Sequence, residues 1–243
     1  MRPQMHVESH IPDKAQLSIL DVGCNVGAWL LRCREVYPDA LLAGVEINGH
    51  ALKQIHNLLP DIIFGQAVAE RLPFEDSQFD CVTCLEVLEH LPERNWKAAI
   101  EEMKRTLKPG GVLILTVPHA GLFAWLDSNN VRHRLPLLYR TIFGRGLRDL
   151  GYDSTGRTVE WHKHFHVSEL KSIISETGWS SIDFDFGGLF LMPIADWLSW
   201  PFYKAGAPNH WFRRMLGRLA TWDYRINFGR YSYGVCVVCT KER

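Results

Sequence analysis

The sequence predicts an α/β fold built on a doubly wound parallel sheet. Three observations carry this. Short apolar runs alternate with helical stretches through the first half of the chain. The stretch Ser18 to Trp29, SILDVGCNVGAW, reads as a strand, a glycine turn and a helix start. The next apolar run, Ala40 to Ile47, ends on an acid, Glu46, about 20 residues after the turn.

Ile19, Leu20 and Val22 make a short apolar run, as a strand buried on both faces should. Gly23 and Gly27 bracket a turn where backbone can approach a ligand, because no Cβ intervenes. Asn25 sits between them and tolerates positive φ. Ala28 to Tyr37 continues with helical spacing. Strand, glycine turn and helix N-terminus together form a nucleotide or nucleoside cradle at the carboxyl end of a parallel sheet. The spacing is G-x-N-x-G rather than the dinucleotide pattern G-x-G-x-x-G. At these residues the chain resembles the class I S-adenosylmethionine (SAM) methyltransferases. Their first motif, D/E-x-G-x-G-x-G, is matched by Asp21, Gly23 and Gly27, and Asn25 departs from it. The resemblance implies a Rossmann-like seven-stranded sheet with strand 7 antiparallel, SAM as cofactor, and a binding loop of Asp21, Gly23, Asn25 and Gly27. It also implies that Glu46 accepts both ribose hydroxyls.

The remaining elements follow in order. Asn48 to Leu59 is a helix stopped by Pro60, and Ile62 to Ala67 is a third strand. The segment AERLPFEDSQFDCV, residues 69–82, resembles the family pattern A-E-x-L-P-F-x-D-x-x-F-D-x-V. There the loop start lines the adenine, which assigns Ala69 and Glu70 to the cofactor site. The slot before Ala69 often holds Asp in the family and is Val68 here, so backbone near Ala69 and Glu70 takes over adenine recognition. Phe79 to Leu85 is the fourth strand, and Leu85 joins the cofactor set. A helix starting near Pro92 buries Trp96, Ala99, Ile100, Met103 and Leu107, and KPGG ends it. Residues 110–118 are the fifth strand. HKHFHVSELKSIISETGW resembles the family's approach to its last core helix, with Ser168 as N-cap and Gly178 as terminator. Ser180 to Gly187 and Tyr231 to Thr240 are strands six and seven.

The chain is read as one domain, 1–243, with two insertions. Residues 119–164 make a substrate lid, since so long a connection is seldom idle in a compact domain. Residues 188–230 make an aromatic, basic helical insertion with Trp197, Trp200, Trp211 and Trp222, and six Lys/Arg against two acids. On a helix from Asn209 to Trp222, Trp211, Phe212, Met215, Leu216, Leu219 and Trp222 share one arc. Arg213, Arg214 and Arg218 lie on the other. Such a helix either lies in a membrane interface or packs its apolar face on the sheet or a partner subunit.

The net charge is zero, but residues 1–117 carry 16 acids and 11 Lys/Arg, and residues 118–243 the reverse. Recognition of an anionic surface therefore falls to the C-terminal half. The polar N-terminus lacks a signal-peptide core, and no apolar run has the length of a membrane span. The expected location is cytoplasmic, with a peripheral position on the inner membrane face as the extension. Cys81/Cys84 and Cys236/Cys239 are C-x-x-C pairs inside strands, where residues three apart face opposite ways. They read as buried thiols rather than a zinc site.

The expected function is methyl transfer from SAM to a small-molecule or lipid-linked acceptor, at oxygen. Catalytic candidates are Glu86, His90 and His119, the last following strand five and proposed as general base. Glu86, Glu89 and His90, spaced E-x-x-E-H, resemble the small-RNA 3′-end ribose methyltransferases and some ubiquinone-biosynthesis O-methyltransferases. In the RNA enzymes such residues, with a distant His, hold a divalent metal. Here Glu86, Glu89, His90 and His162 form that alternative metal set, with no metal the favoured reading, because metal-free relatives carry the same run. The alternatives are RNA 3′-end methylation, with nucleic acid the disfavoured partner, and SAM binding without turnover. Oligomeric state is left open.

Overall fold

The computed structural model describes residues 7–127, 130, 135, 163–207 and 210–243. The strands are β1 (Ser18–Val22), β2 (Leu41–Glu46), β3 (Ile63–Gln66), β4 (Phe79–Leu85), β5 (Leu107–Pro118), β6 (Ser181–Gly187) and β7 (Gly234–Thr240). The helices are α1 (Ala28–Val36), α2 (Gly49–Leu58), α3 (Glu93–Thr106), α4 (Val167–Ser175), α5 (Leu191–Lys204) and α6 (Trp211–Tyr224). The seven strands form one sheet in the order β3-β2-β1-β4-β5-β7-β6. All pairs are parallel except those of β7, which runs antiparallel to β5 and β6. The chain winds outward from β1 to β3, then restarts at β4 on the other side of β1. That reversal makes a crevice at the carboxyl ends of β1 and β4, where ligands bind in such sheets.

Both sheet faces are buried, and the period-two alternation of the strands explains how. Leu20 and Val22 of β1 and Leu113, Leu115 and Val117 of β5 face one core, with Trp96, Ile100 and Met103 of α3 and Leu170 and Ile174 of α4. Ile19 and Ile114 face the other, with Trp29, Leu30 and Cys33 of α1 and Ile55 of α2. The C-x-x-C pairs obey the same rule. Cys84 and Cys239 lie in the first core, and Cys81 and Cys236 in the second. All six cysteines are buried free thiols.

The boundaries of α3, β5 and α4 differ from the sequence reading. The KPGG run does not end α3; it lies within β5, because Leu107 already pairs with Phe79 across a register shift. Pro92 is the N-cap of α3 rather than its first residue, with ψ of 140°. The N-cap of α4 is His166, so Ser168 sits inside the first turn.

The segment between β6 and β7 stands on the carboxyl edge of the sheet. Gly187 pairs with Gly234, and Gly234 with Pro118, so the carboxyl ends of β5 and β6 flank the start of β7. Helices α5 and α6 rise from that edge and pack through Met192, Ala195, Leu216, Ala220 and Tyr224. Buried Asp223 accepts from the Leu189 and Leu191 amides at 2.9 and 3.1 Å, tying α6 to the start of α5. Tyr224 covers Gly234 so closely that a Cβ there would fall 1.8 Å from its hydroxyl. Among the described residues no helix is long and apolar enough to cross a membrane. Most of the lid assigned to 119–164 lies outside the described residues.

Candidate active site

The glycine turn folds back onto β2. The Val45 carbonyl accepts from the Gly23 amide at 2.7 Å and the Cys24 amide at 3.0 Å. Gly23, Asn25 and Gly27 all adopt positive φ, at 79°, 46° and 75°. Asn occupies the left-handed region more readily than other side-chain-bearing residues, so the departure at Asn25 keeps the turn. The space a Cβ would fill is taken by protein, not left toward a ligand. At Gly23 a Cβ would stand 2.4 Å from Val87 Cγ2, and at Gly27 1.9 Å from Ile55 Cδ1. The glycines thus let β4's following loop and α2 close against the turn. Gly27→Ala is expected to destabilise the fold by about 2–4 kcal/mol, combining left-handed strain and overpacking, as read from the urea midpoint.

Glu46 is the hinge of the site. Its carboxylate accepts from the Asn25 amide at 2.9 Å and from the Asn48 amide at 2.9 Å. It therefore joins the glycine turn to the start of α2, whose N-cap is Asn48. Each oxygen keeps a further lone pair for a ligand hydroxyl. Asp21 points the other way. It is buried under the turn and accepts from Thr83 Oγ1 at 2.8 Å. Burial pushes its pKa up to about 7, the Thr83 bond opposes that rise, and the Glu46 carboxylate adds to it. Trp29 Nε1 donates to the same Thr83 oxygen at 3.1 Å. Nothing local in the sequence marks Thr83 or Trp29; Thr83 is found only through its register opposite Asp21.

On the other flank Ala69 is buried and Glu70 half-buried. Glu70 Oε1 accepts from Asn95 Nδ2, and its Oε2 is buried with no hydrogen-bond partner among the described residues. Val68 is exposed and bridges to Arg71. Leu85 ends β4, half-buried, opposite Thr116.

A match to the methyltransferase domain family spans residues 19–111. Residues 19–111 thus carry a methyltransferase domain. The ubiquinone biosynthesis O-methyltransferase of Pseudomonas fluorescens is 33% identical over 130 residues, 49% of this chain and 53% of that protein. The sterol 24-C-methyltransferase erg-4 of Neurospora crassa is 30% identical over 146 residues, 55% of this chain and 35% of that one. The chain thus spans about half or less of the length of these curated relatives. Among solved structures, phosphoethanolamine N-methyltransferase 2 of Haemonchus contortus, bound to S-adenosylhomocysteine, aligns at TM-score 0.63. Identity is 13%, covering 99% of this chain and 52% of that one. The [4+2]-cyclase SpnF aligns at TM-score 0.62 and 16% identity, covering 99% and 80%. These structures share the fold.

The methyltransferase domain's site fits its cofactor. Glu46 has a carboxylate with spare lone pairs of the kind a vicinal diol needs, and Glu70 keeps a buried acceptor oxygen with no hydrogen-bond partner among the described residues.

The catalytic candidates do not all converge. His119 follows β5, and its amide donates to the Tyr233 carbonyl at 2.9 Å. Its ring is buried, edge-on to Phe186, with Nδ1 2.8 Å from the Ser232 carbonyl. A carbonyl only accepts, so Nδ1 carries the proton and Nε2 is the basic nitrogen. Burial lowers the His119 pKa against the Ser232 bond, which keeps the ring neutral. Glu86 follows β4 at φ 57°, a left-handed conformation that turns the chain, and its amide donates to the Thr116 carbonyl at 3.0 Å. The following Leu88–His90 turn buries Glu89 and exposes His90. On a three-residue turn adjacent side chains diverge by about 120°. Glu89 and His90 therefore point apart, one into the protein and one to solvent. Among the described residues no group of three His, Cys, Asp or Glu stands ready to hold a metal. His162 lies outside the described residues. His164 faces Asp127, Nε2 to Oδ2 at 3.3 Å, in a buried pair the sequence reading missed.

Proposed function

We propose that this protein transfers a methyl group from SAM to an oxygen of a small-molecule or lipid-linked acceptor, at or near a membrane surface. The observation that carries the reading is the buried neutral His119 on the same carboxyl edge as the Glu46-joined glycine turn. When bound, SAM supplies a methyl already activated on a sulfonium. Glu46 holds the ribose hydroxyls, and Ala69 and Glu70 flank the adenine. His119 Nε2 takes the proton of the accepting hydroxyl, which raises its nucleophilicity, while the Ser232 carbonyl keeps the ring in the productive tautomer. Phe186 and Phe165 shield this end of β5 from water.

The name of the Pseudomonas relative supports oxygen as acceptor. The sterol methyltransferase, named for carbon, shows that similarity in this part of the chain accompanies other acceptor atoms. His119→Ala is expected to lower kcat by about 10²–10⁴-fold and leave the SAM Kd unchanged. An unchanged kcat at saturating acceptor leaves His119 a lid-hinge residue.

The experiment that tests the whole reading incubates the protein and methyl-tritiated SAM with a cell extract, then partitions the phases. Label in the organic phase supports a lipid-linked acceptor, and label in small aqueous products a polar one. Label in RNA overturns the reading. A second reading, SAM binding without turnover, is favoured by Asn25 and Val68, which depart from the family's pattern at the cofactor loop and the adenine slot. Tight SAM binding with no label transferred to any fraction would establish it.

A further inference from the structure

We propose that α6 is a docking surface for an anionic lipid bilayer. Its apolar arc is divided by the fold. Phe212, Leu216, Ala220 and Tyr224 turn inward against α5. Trp211, Met215, Leu219 and Trp222 stay outside at 62%, 39%, 46% and 60% exposure. These four follow one another at helical spacing, each turning by about 100° per residue, so they make one stripe along a 14-residue helix. A helix packed on its own protein does not leave two tryptophans more than half in water without a second surface for them.

The charge beside the stripe identifies that surface. Arg214, Arg218 and Arg225 are exposed along one margin of it. The helix has a single acid, Asp223, and that is buried on the amides of Leu189 and Leu191. Its exposed face is therefore apolar and positive only. A second copy of this helix would set arginines against arginines, with no exposed acid to answer them. An anionic bilayer answers both parts: indoles sit at the headgroup boundary, apolar side chains enter the acyl region, and arginines meet lipid phosphates. The proposal extends the membrane-side reading above. Since α6 rests on the edge formed by Pro118, Gly187 and Gly234, its bilayer would lie beside the end of β5 that bears His119.

The test is flotation of the full chain with vesicles of phosphatidylcholine alone and of phosphatidylcholine with phosphatidylglycerol. The wild type is expected to float with the anionic vesicles at low salt and to release as salt rises. The variant Arg214→Glu/Arg218→Glu is expected to bind at least about thirtyfold more weakly, from roughly fivefold for each arginine at an anionic surface. Trp211→Ser/Trp222→Ser is expected to lose flotation at every salt concentration. Both variants change exposed side chains, and an unchanged SAM Kd verifies the fold. A wild type that remains at the bottom of the gradient overturns the proposal. So does a dimer in sedimentation equilibrium that the tryptophan variant dissolves. Methyl transfer to a water-soluble acceptor, unaltered in both variants, separates failure of docking from failure of the enzymatic reading.

Discussion

Glu46→Ala is expected to weaken SAM binding by about 10²–10³-fold. The carboxylate would make charge-assisted hydrogen bonds to two ribose hydroxyls, each contributing about 1.5–3 kcal/mol. It also holds the Asn25 and Asn48 amides, so its loss frees the glycine turn and the start of α2 together. Some 3–4 kcal/mol of lost binding corresponds to that factor. Glu46→Gln retains an acceptor oxygen but introduces an NH₂ where the second amide requires an acceptor. Its expected loss is about tenfold. Titration calorimetry with SAM and with S-adenosylhomocysteine reads both variants. Equal loss for the two ligands shows that the effect resides in the nucleoside. A Glu46→Ala Kd within twofold of the wild type would remove Glu46 from the cofactor site.

A second large effect, on stability, is expected at the opposite edge of the sheet. Asp80, near the start of β4, is buried and accepts from the Ser18 amide at 3.1 Å and the Ser18 hydroxyl at 2.7 Å. Lys14 and Lys108 reach it from solvent at 2.6 and 2.8 Å. Asp80→Ala leaves the buried Ser18 amide without its acceptor and separates β1 from β4 and β5 at this end. The expected loss is about 3 kcal/mol, at the low end for breaking a buried ion pair because the lysines are 48% and 39% exposed. For a chain of this size that corresponds to a fall of roughly 6–12 °C in Tm. The SAM Kd should not move, because the site is on the far edge.

The same residue shapes the acid limb of stability. Burial alone would raise the Asp80 pKa, but hydrogen bonds from Lys108, Lys14 and Ser18 outweigh it and hold it well below the usual range. A carboxyl depressed on folding contributes stability that is present above its unfolded value near 3.9 and is lost as pH falls through the folded value. The wild type should therefore weaken steeply below about pH 4, and Asp80→Ala should flatten that limb. An unchanged acid limb in the variant would assign it to other carboxylates.

Much of the site's framework was legible because it is written locally. The strand, the glycine turn, the helix start and the acid about 20 residues on are adjacent or periodic features. So is the division of each C-x-x-C pair between the two cores, which follows from the two-residue period of a strand. The positive φ at Asn25 belongs with these, since the residue type and its place between two glycines imply it.

The tertiary structure decided what those features touch. Thr83 meets Asp21, and Val87 covers Gly23, only because β4 returns beside β1. The spacing of Glu86, Glu89 and His90 permits convergence, but a left-handed residue and a tight turn send Glu89 inward and His90 outward. The apolar arc of α6 is plain in the sequence, whereas its division between α5 and water is not. Period and residue type specify which side chains share a face. Which face is covered depends on contacts between segments distant in the chain, and here those contacts set both the active edge and the exposed tryptophan stripe.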